Sequence, residues 1–318
     1  MPEDNSLLFI DAAGRCIELP ALDLVLREPR QLLGERTYAR FGAEFPIRFD
    51  LLDTMAGENL SLQVHPLTDY MQQVFGMPYT QDESYYMLDV GDDAIVYLGL
   101  RDGVEPVAML DALVEAQTNG KPFTAEEYVG AFPARKHDHF PIPAGTVHSA
   151  AANSMVLESS ATPYIFTFKL WDWGRLGLDG VPRPMQLERG AADIQWDRDA
   201  TWTERNLVGQ VEVLRDEPGH REERTGLHEL EFIEVRRHWF DRPTAPETRG
   251  AVGALAPVQG AAAALKRASG ACEPFQVHYA ESFIVPAAVG AYELHPDRAS
   301  AGCGVVVASV RGTEAPAR

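Results

Sequence analysis

Four side chains on three separated segments have the types that bind a divalent cation. Gln63 and His65 lie in LSLQVHPLTDY (Leu60 to Tyr70), Glu83 opens ESYYMLDV, and His148 closes IPAGTVH. Together they offer two imidazole nitrogens and two oxygen donors. That set suits Zn²⁺ and, less selectively, other first-row divalent ions. Spacing leaves the geometry open. Taken alone, a histidine such as His220 or His238 is more often a surface or satisfied core residue than a ligand.

The surrounding patterns say what must position these groups. Leu60, Leu62 and Val64 alternate with Ser61, Gln63 and His65 until Pro66, as in a half-buried strand. Ser61, Gln63 and His65 then share one strand face. FPIRFDLLDTM, SYYMLDV, AIVYLGL, SMVLESS and YIFTFKLWDW predict further strands. EPVAMLDALVEAQTNG predicts a helix over Glu105 to Gly120, with Val107, Leu110, Leu113 and Val114 at helical spacing and Asn119-Gly120 as its stop. TAEEYVGAF, after a Thr124 cap, predicts a second short helix. The charged stretch from Trp202 to His238 is ambiguous.

A weak internal repeat points to a duplicated β unit. FPIPAGTVH (Phe140 to His148) is matched by FIVPAAVGAY (Phe283 to Tyr292). Aligned without gaps, His148 falls opposite Ala291, so the second copy lacks that histidine. Nearby, VHYAESF holds His278 and Glu281, but without the missing partner no second metal site is expected.

Composition narrows the partners. The chain has 318 residues, 45% hydrophobic and 24% charged, with a formal net charge of −19. Such a surface repels phosphate backbones and anionic membrane surfaces, so neither nucleic acid nor membrane is expected as a partner. No run of about 18 apolar residues predicts a spanning helix. The acidic start, MPEDNSLLFIDAAGR, does not read as a secretory signal. Cys16, Cys272 and Cys303 are scattered and odd in number, which fits neither a disulfide framework nor a zinc finger and suggests a cytoplasmic protein. The sequence leaves oligomeric state open.

LSLQVHP, DESYYMLD and FPIPAGTVHSA together resemble the type I phosphomannose isomerases of the cupin superfamily. LWDWGRLGLDGVPRPMQLERG (Leu170 to Gly190) resembles the stretch that follows the metal strands, and SFIVPAAVGAY the family's degenerate second cupin. The resemblance implies a mainly β fold of two cupin (jelly-roll) barrels. The first would span 1–195, bind metal and carry a helical insertion at about 105–132; the second would be a degenerate barrel over 196–318. It also implies one Zn²⁺ per chain on Gln63, His65, Glu83 and His148. Ser61 would help hold a substrate phosphate. The implied activity is interconversion of mannose 6-phosphate and fructose 6-phosphate through an enediolate, a hydride shift being the alternative.

Two positions depart from the family pattern. Gln81, in QDE, stands where a basic residue precedes the metal-binding Glu, and Lys169, in FKLWDW, stands where an Arg precedes the Asp-Trp pair. A neutral amide cannot supply the lost charge, and Lys lacks the guanidinium fork. The substrate is then an unphosphorylated sugar, or its phosphate is held by Lys169, Arg175 or Arg183. Lys169 is the leading substrate contact, with Gln81 beside it, and Arg175 binds substrate or supports its loop. Glu158, in MVLESS, is a candidate base or orienter, or else a strand residue facing solvent. His139 reads as structural rather than as a proton shuttle. WDWG, from Trp171, stacks a sugar face or packs in the core. Rival readings are an isomerase-fold enzyme for another sugar, a non-catalytic metal-containing sugar-binding protein, and metal-dependent oxygen chemistry, for which a Gln/His/Glu/His set is poor in histidine.

Overall fold

The computed structural model describes residues 6–10, 13–161, 164, 166–226, 228–246, 248–260, 262–267, 275–297 and 302–312. Cys272 and parts of both termini lie outside them. The chain divides into two compact units: Met1–Ile47, Val213–Glu223 and Phe232–Arg318 form one, and Arg48–Glu212 with Arg224–Glu231 form the other. The protein is mainly β, with antiparallel sheets and few helices. No helix among the described residues is long and apolar enough to cross a membrane.

Strands β1 (Ser6–Ile10) and β2 (Cys16–Pro20) pair with each other. The unit that begins at Arg48 is built on two sheets. β3 (Arg48–Asp53), β5 (Glu83–Val90), β8 (His139–Ile142) and β10 (Ser154–Ser160) form one, in the order β3-β10-β5-β8. β4 (Leu62–Val64), β6 (Ile95–Leu100), β7 (Val129–Pro133), β9 (His148–Ala150) and β11 (Phe168–Trp171) form the other, in the order β11-β4-β9-β6-β7. Alternation decides the faces: Leu62 and Val64 are buried in one core cluster, leaving Gln63 to point the other way. Tyr85, Met87, Val96, Leu98, Phe140 and Val156 make a second cluster.

The helix Pro106–Asn119 forms as expected, with Pro at its start and Gly120 closing it at φ 67°. Its packing stripe is different from the one the pattern suggested. Met109, Leu113 and Ala116 are buried, whereas Val107 and Val114 are exposed. The i, i+4, i+7 stripe through Met109 lies over the β4/β6/β11 sheet core, where each fully buried Leu or Met contributes roughly 1.5–3 kcal/mol. The second short helix is only a single turn, Ala125–Glu127, and Thr124 makes no side-chain cap. The following residues instead form β7, because Val129 and its neighbours gain ladder bonds by pairing with β6.

The other unit carries β12 (Val211–Glu217), β13 (His220–Thr225), β14 (Ile233–Phe240), β15 (Gly253–Gln259), β18 (Phe283–Val285) and β20 (Cys303–Val310) in one sheet, ordered β12-β13-β14-β20-β15-β18. A second sheet runs β17-β16-β19, with β16 (Ala262–Arg267), β17 (Phe275–His278) and β19 (Tyr292–Pro296). Residues up to Ile47, placed by the sequence reading with the first barrel, belong here: Val25, Leu32 and Leu33 share a core cluster with Val252. The ambiguous stretch from Trp202 resolves into the end of a helix, Ala200–Asn206, capped by Asp199, and then β12 to β14. Charge hides the strand period there because the charges are paired within the sheet. Arg236 bonds Glu222 and Glu234 at 2.8 and 2.6 Å, and Arg237 bonds Glu223 at 2.6 Å. The repeated motif takes a similar form in both units, since β8-turn-β9 and β18-turn-β19 each step from one sheet to another.

His220 and His238 are satisfied core residues. His220 Nε2 lies 3.2 Å from His238 Nδ1, and Thr244 Oγ1 lies 3.0 Å from His220 Nδ1. Burial, outweighing the nearby Glu222, pushes His238 down to about 4. A histidine with a depressed folded pKa leaves the unfolded chain binding more protons, so its stabilising contribution is present above the unfolded value and lost as pH falls. Between pH 6.5 and about 4 the loss is about 3 kcal/mol. Urea unfolding of wild type and His238→Gln across that window should show it: wild type loses about 3 kcal/mol more than the variant. Parallel pH dependences would contradict it.

Candidate metal centre

The three segments that carry the candidate ligands converge through strand pairing. Gln63 on β4 pairs directly with His148 at the start of β9, and Glu83 begins β5 opposite Ile142 on β8. His65 follows β4 by one residue. The turn before His148 is tied to the His65 segment: Gly145 N donates to His65 O at 2.9 Å. Gly145 has φ +86°, and a Cβ there would lie 2.7 Å from Gln195 Cγ and 2.9 Å from Asp193 O, so only glycine fits this close approach. Asp82 Oδ1 accepts from Ala144 N at 2.8 Å and holds the same turn from below. Burial pushes the Asp82 carboxyl up to about 6.

His65, Glu83 and His148 form a buried cluster whose ligand atoms all lie within 4.8 Å of one another, and it could hold one metal ion. His65 Nε2 is 2.9 Å from Glu83 Oε2, and His148 Nε2 is 2.9 Å from Glu83 Oε1. The opposite ring nitrogens decide the tautomers. His65 Nδ1 lies 2.8 Å from Phe166 O, and His148 Nδ1 lies 2.9 Å from Thr146 O. A carbonyl only accepts, so each Nδ1 carries a proton. In the neutral rings both Nε2 atoms then present lone pairs to a carboxylate. Such an arrangement is repulsive unless a proton or a cation lies between them. His65 Nε2 and Glu83 Oε1 lack a hydrogen bond of acceptable geometry despite these short distances. The chain therefore fits a cation by its donor chemistry.

The electrostatics agree. Burial disfavours a charged His65, but Glu83 and the Phe166 carbonyl outweigh it and raise its pKa. Burial pushes Glu83 up, yet His65 and His148 hold it well below the usual carboxylate range. A metal entering here competes with a proton for the His65 imidazole. Gln63 stands beside them: its Nε2 donates to His148 Nε2 at 3.1 Å, and its Oε1 accepts from Ser61 Oγ at 3.0 Å. To act as a ligand Gln63 would present Oε1, a half-turn of the amide.

A cavity of about 300 Å³ opens over the cluster. Ser61, Gln63, Gln81, Glu83, Glu158, Lys169, Arg175 and Arg183 all line it, so eight of the ten residues expected at a site share one cavity wall. The other two, His65 and His148, lie beneath it, joined to Glu83. Gln81 is buried, with both ends of its amide engaged by the protein. Lys169 Nζ bonds Asp172 Oδ2 at 2.8 Å; Arg175 and Arg183 each lie 3.6 Å from the same carboxylate. Arg175 also bonds Asn59 O and lies 3.3 Å from Glu58. Glu158 does not face solvent. It is buried, bonds Arg48 at 2.9 Å, and is pushed up to about 7 by burial and then by Glu83, against Arg48.

Sequence reasoning missed Arg48, Asp50, Tyr85 and Asp172, which also line the cavity. Arg48, Asp50 and Leu52 alternate along β3, a period-two signal that could have put them on one face. Tyr85 is fully buried, and burial together with Glu83 keeps its hydroxyl protonated. Trp171 and Trp173 do not line the cavity: Trp171 packs in the core, and Trp173 Nε1 donates to Leu60 O at 2.6 Å. His139 is buried edge-on to Tyr86, 5.4 Å between ring centres, as a structural residue. His278 and Glu281 pair on the surface at 3.1 Å.

The chain is similar to known proteins. No family model matches the chain. It is 27% identical over 148 residues to the probable mannose-6-phosphate isomerase GmuF of Bacillus subtilis, covering 46% of this chain and 44% of that protein. It is 26% identical over 154 residues to mannose-6-phosphate isomerase ManA of the same organism, covering 48% and 45%. The matched stretch is thus less than half the length of these curated relatives. The structural match is far wider. Mannose 6-phosphate isomerase from Bacillus subtilis superposes over 94% of this chain and 83% of its own at a TM-score of 0.70 and 18% identity. The fold is that of the phosphomannose isomerases. A putative mannosephosphate isomerase from Archaeoglobus fulgidus shares this phosphomannose isomerase fold over 96% of this chain and 87% of its own, at a TM-score of 0.69 and 16% identity.

Proposed function

We propose that the chain is a zinc-dependent aldose–ketose isomerase that interconverts mannose 6-phosphate and fructose 6-phosphate. The observation that carries this reading is the convergence of two imidazole lone pairs on a buried carboxylate beneath a cavity that Lys169, Arg175 and Arg183 line. The similarity to proteins named mannose-6-phosphate isomerase supports it. On this reading the two sheets built from Arg48 onward are the metal-binding cupin barrel, and the helix Pro106–Asn119 belongs to an insertion in it. The remaining sheets are a degenerate second barrel.

The proposed ligands are Gln63, His65, Glu83 and His148, one zinc per chain. A bound divalent cation supplies positive charge that stabilises an oxyanion and acidifies the adjoining C–H bond. The reaction moves a proton between C1 and C2 of the open-chain sugar by way of an enediolate. Glu158, on β10 and facing the cavity, takes that proton at its carboxylate and returns it to the neighbouring carbon. Arg48 keeps the Glu158 carboxylate oriented. Lys169 and Arg175 bind substrate oxygens, with Ser61 and Gln81 on the adjoining wall. Asp172 spaces Lys169, Arg175 and Arg183 around one point, and three cations on one carboxylate leave positive charge for a phosphate.

A second reading, an isomerase for an unphosphorylated sugar, draws on the neutral Gln81 and on the ion pairs that already engage these cations. Metal analysis combined with turnover assays on mannose 6-phosphate and free mannose separates the two. The proposal expects one zinc per chain and fructose 6-phosphate formed from the phosphorylated sugar. Turnover of free mannose alone would move the function to the second reading. Metal with sugar binding and no isomerisation would make the chain a binding protein.

A further inference from the structure

Gln81 is an expected site residue with both ends of its amide engaged by the protein, one of them by the proposed ligand Glu83. It is 2% exposed. Its Nε2 donates to Glu83 Oε2 at 3.1 Å, and its Oε1 accepts from Phe166 N at 2.9 Å. Phe166 in turn accepts from His65 Nδ1 through its carbonyl at 2.8 Å. One amide therefore connects two proposed ligands, Glu83 directly and His65 through a single residue's backbone.

We infer that Gln81 is a positioning residue for the metal centre. It aims the Glu83 carboxylate and fixes the Phe166 carbonyl that sets the His65 tautomer. This rests on the reading that His65, Glu83 and His148 hold a divalent cation. The residue type follows from the two jobs. Position 81 must donate to a carboxylate and accept from a buried backbone N–H at once. A lysine donates but has no acceptor, so the Phe166 N–H would lose its partner. A neutral glutamine leaves the carboxylate's charge for the cation. Gln81 thus has a local role, separate from phosphate recognition. Outer partners that orient ligands commonly change metal affinity about 10–100-fold when removed.

The test uses the full chain with Zn²⁺ as the probe. Gln81→Met keeps the volume and removes both hydrogen bonds; Gln81→Lys keeps a donor toward Glu83 and removes the acceptor for Phe166 N. Chelator competition should show zinc bound about 10–100-fold more weakly by Gln81→Met, and more weakly by Gln81→Lys than by wild type. The KM for mannose 6-phosphate at saturating zinc should move less than the metal affinity does. If Gln81→Met does not fold, Gln81→Lys alone decides by the same readout. Unchanged zinc affinity in the folded variants overturns the inference. So does a raised KM with metal affinity intact, which would make Gln81 a substrate contact. A wild-type chain that binds no zinc overturns the metal reading itself, and this inference with it.

Discussion

Replacing His65 by Ala is expected to remove bound metal and isomerase activity together. His65 supplies one of the two lone pairs aimed at Glu83 and is itself held by Phe166 O. A complete structural zinc site contributes roughly 10–16 kcal/mol, so losing one donor of four costs about 3 kcal/mol, or at least about 100-fold in affinity. The metal-free protein suffers too. Glu83 is buried, and without His65 one of its carboxylate oxygens loses its 2.9 Å imidazole neighbour. Removing one member of a buried pair commonly costs about 3–5 kcal/mol. Metal content per folded chain, measured after gel filtration and set beside the isomerisation rate, checks both effects. A variant that keeps one metal per chain would take His65 out of the ligand set.

Glu158→Gln should lower kcat by about 10²–10⁴-fold while metal stays bound, if the carboxylate carries the C1/C2 proton. The substitution is nearly isosteric, and Arg48 keeps a second partner in Asp50 at 3.4 Å, so folding should survive. The pH profile separates a base from an orienter. Burial and Glu83 push Glu158 from 4.5 up to about 7, while Arg48 opposes them. A cation in the cluster below opposes them further. The base is the deprotonated form, so kcat/KM of wild type should rise with pH through an inflection between 4.5 and about 7. That inflection should vanish in Glu158→Gln. A slower variant with the inflection intact would leave Glu158 as an orienter and assign the proton to another group.

Much of the site was legible because its chemistry depends on residue type and short spacing. Gln63 and His65 on one alternating run, Glu83 at the head of another and His148 after a Pro-Ala-Gly turn all keep local signals. The strands over Arg48–Asp53, Glu83–Val90, Ile95–Leu100 and Ser154–Ser160 were readable for the same reason, since short apolar or alternating runs between turn residues are local signals. The helix at Pro106–Asn119 was readable in place but not in facing: both stripes have helical spacing, and only the sheet beneath selects Met109, Leu113 and Ala116. β13 and β14 were hidden because their charges are neutralised by partners across the sheet rather than by solvent.

By itself, the sequence determined which donor types are available and the mainly β character that presents them. Only the tertiary structure decided how they meet. Gln63 and His148 touch across 85 residues of chain, and no local pattern encodes that pairing. The carbonyls of Phe166 and Thr146 set the histidine tautomers, and a backbone oxygen has the same identity at every position, so the sequence carries no mark of it. Gln81 reads as a lost cation in one dimension and as a two-ended support in three, because hydrogen-bond partners are chosen by proximity, which the fold supplies.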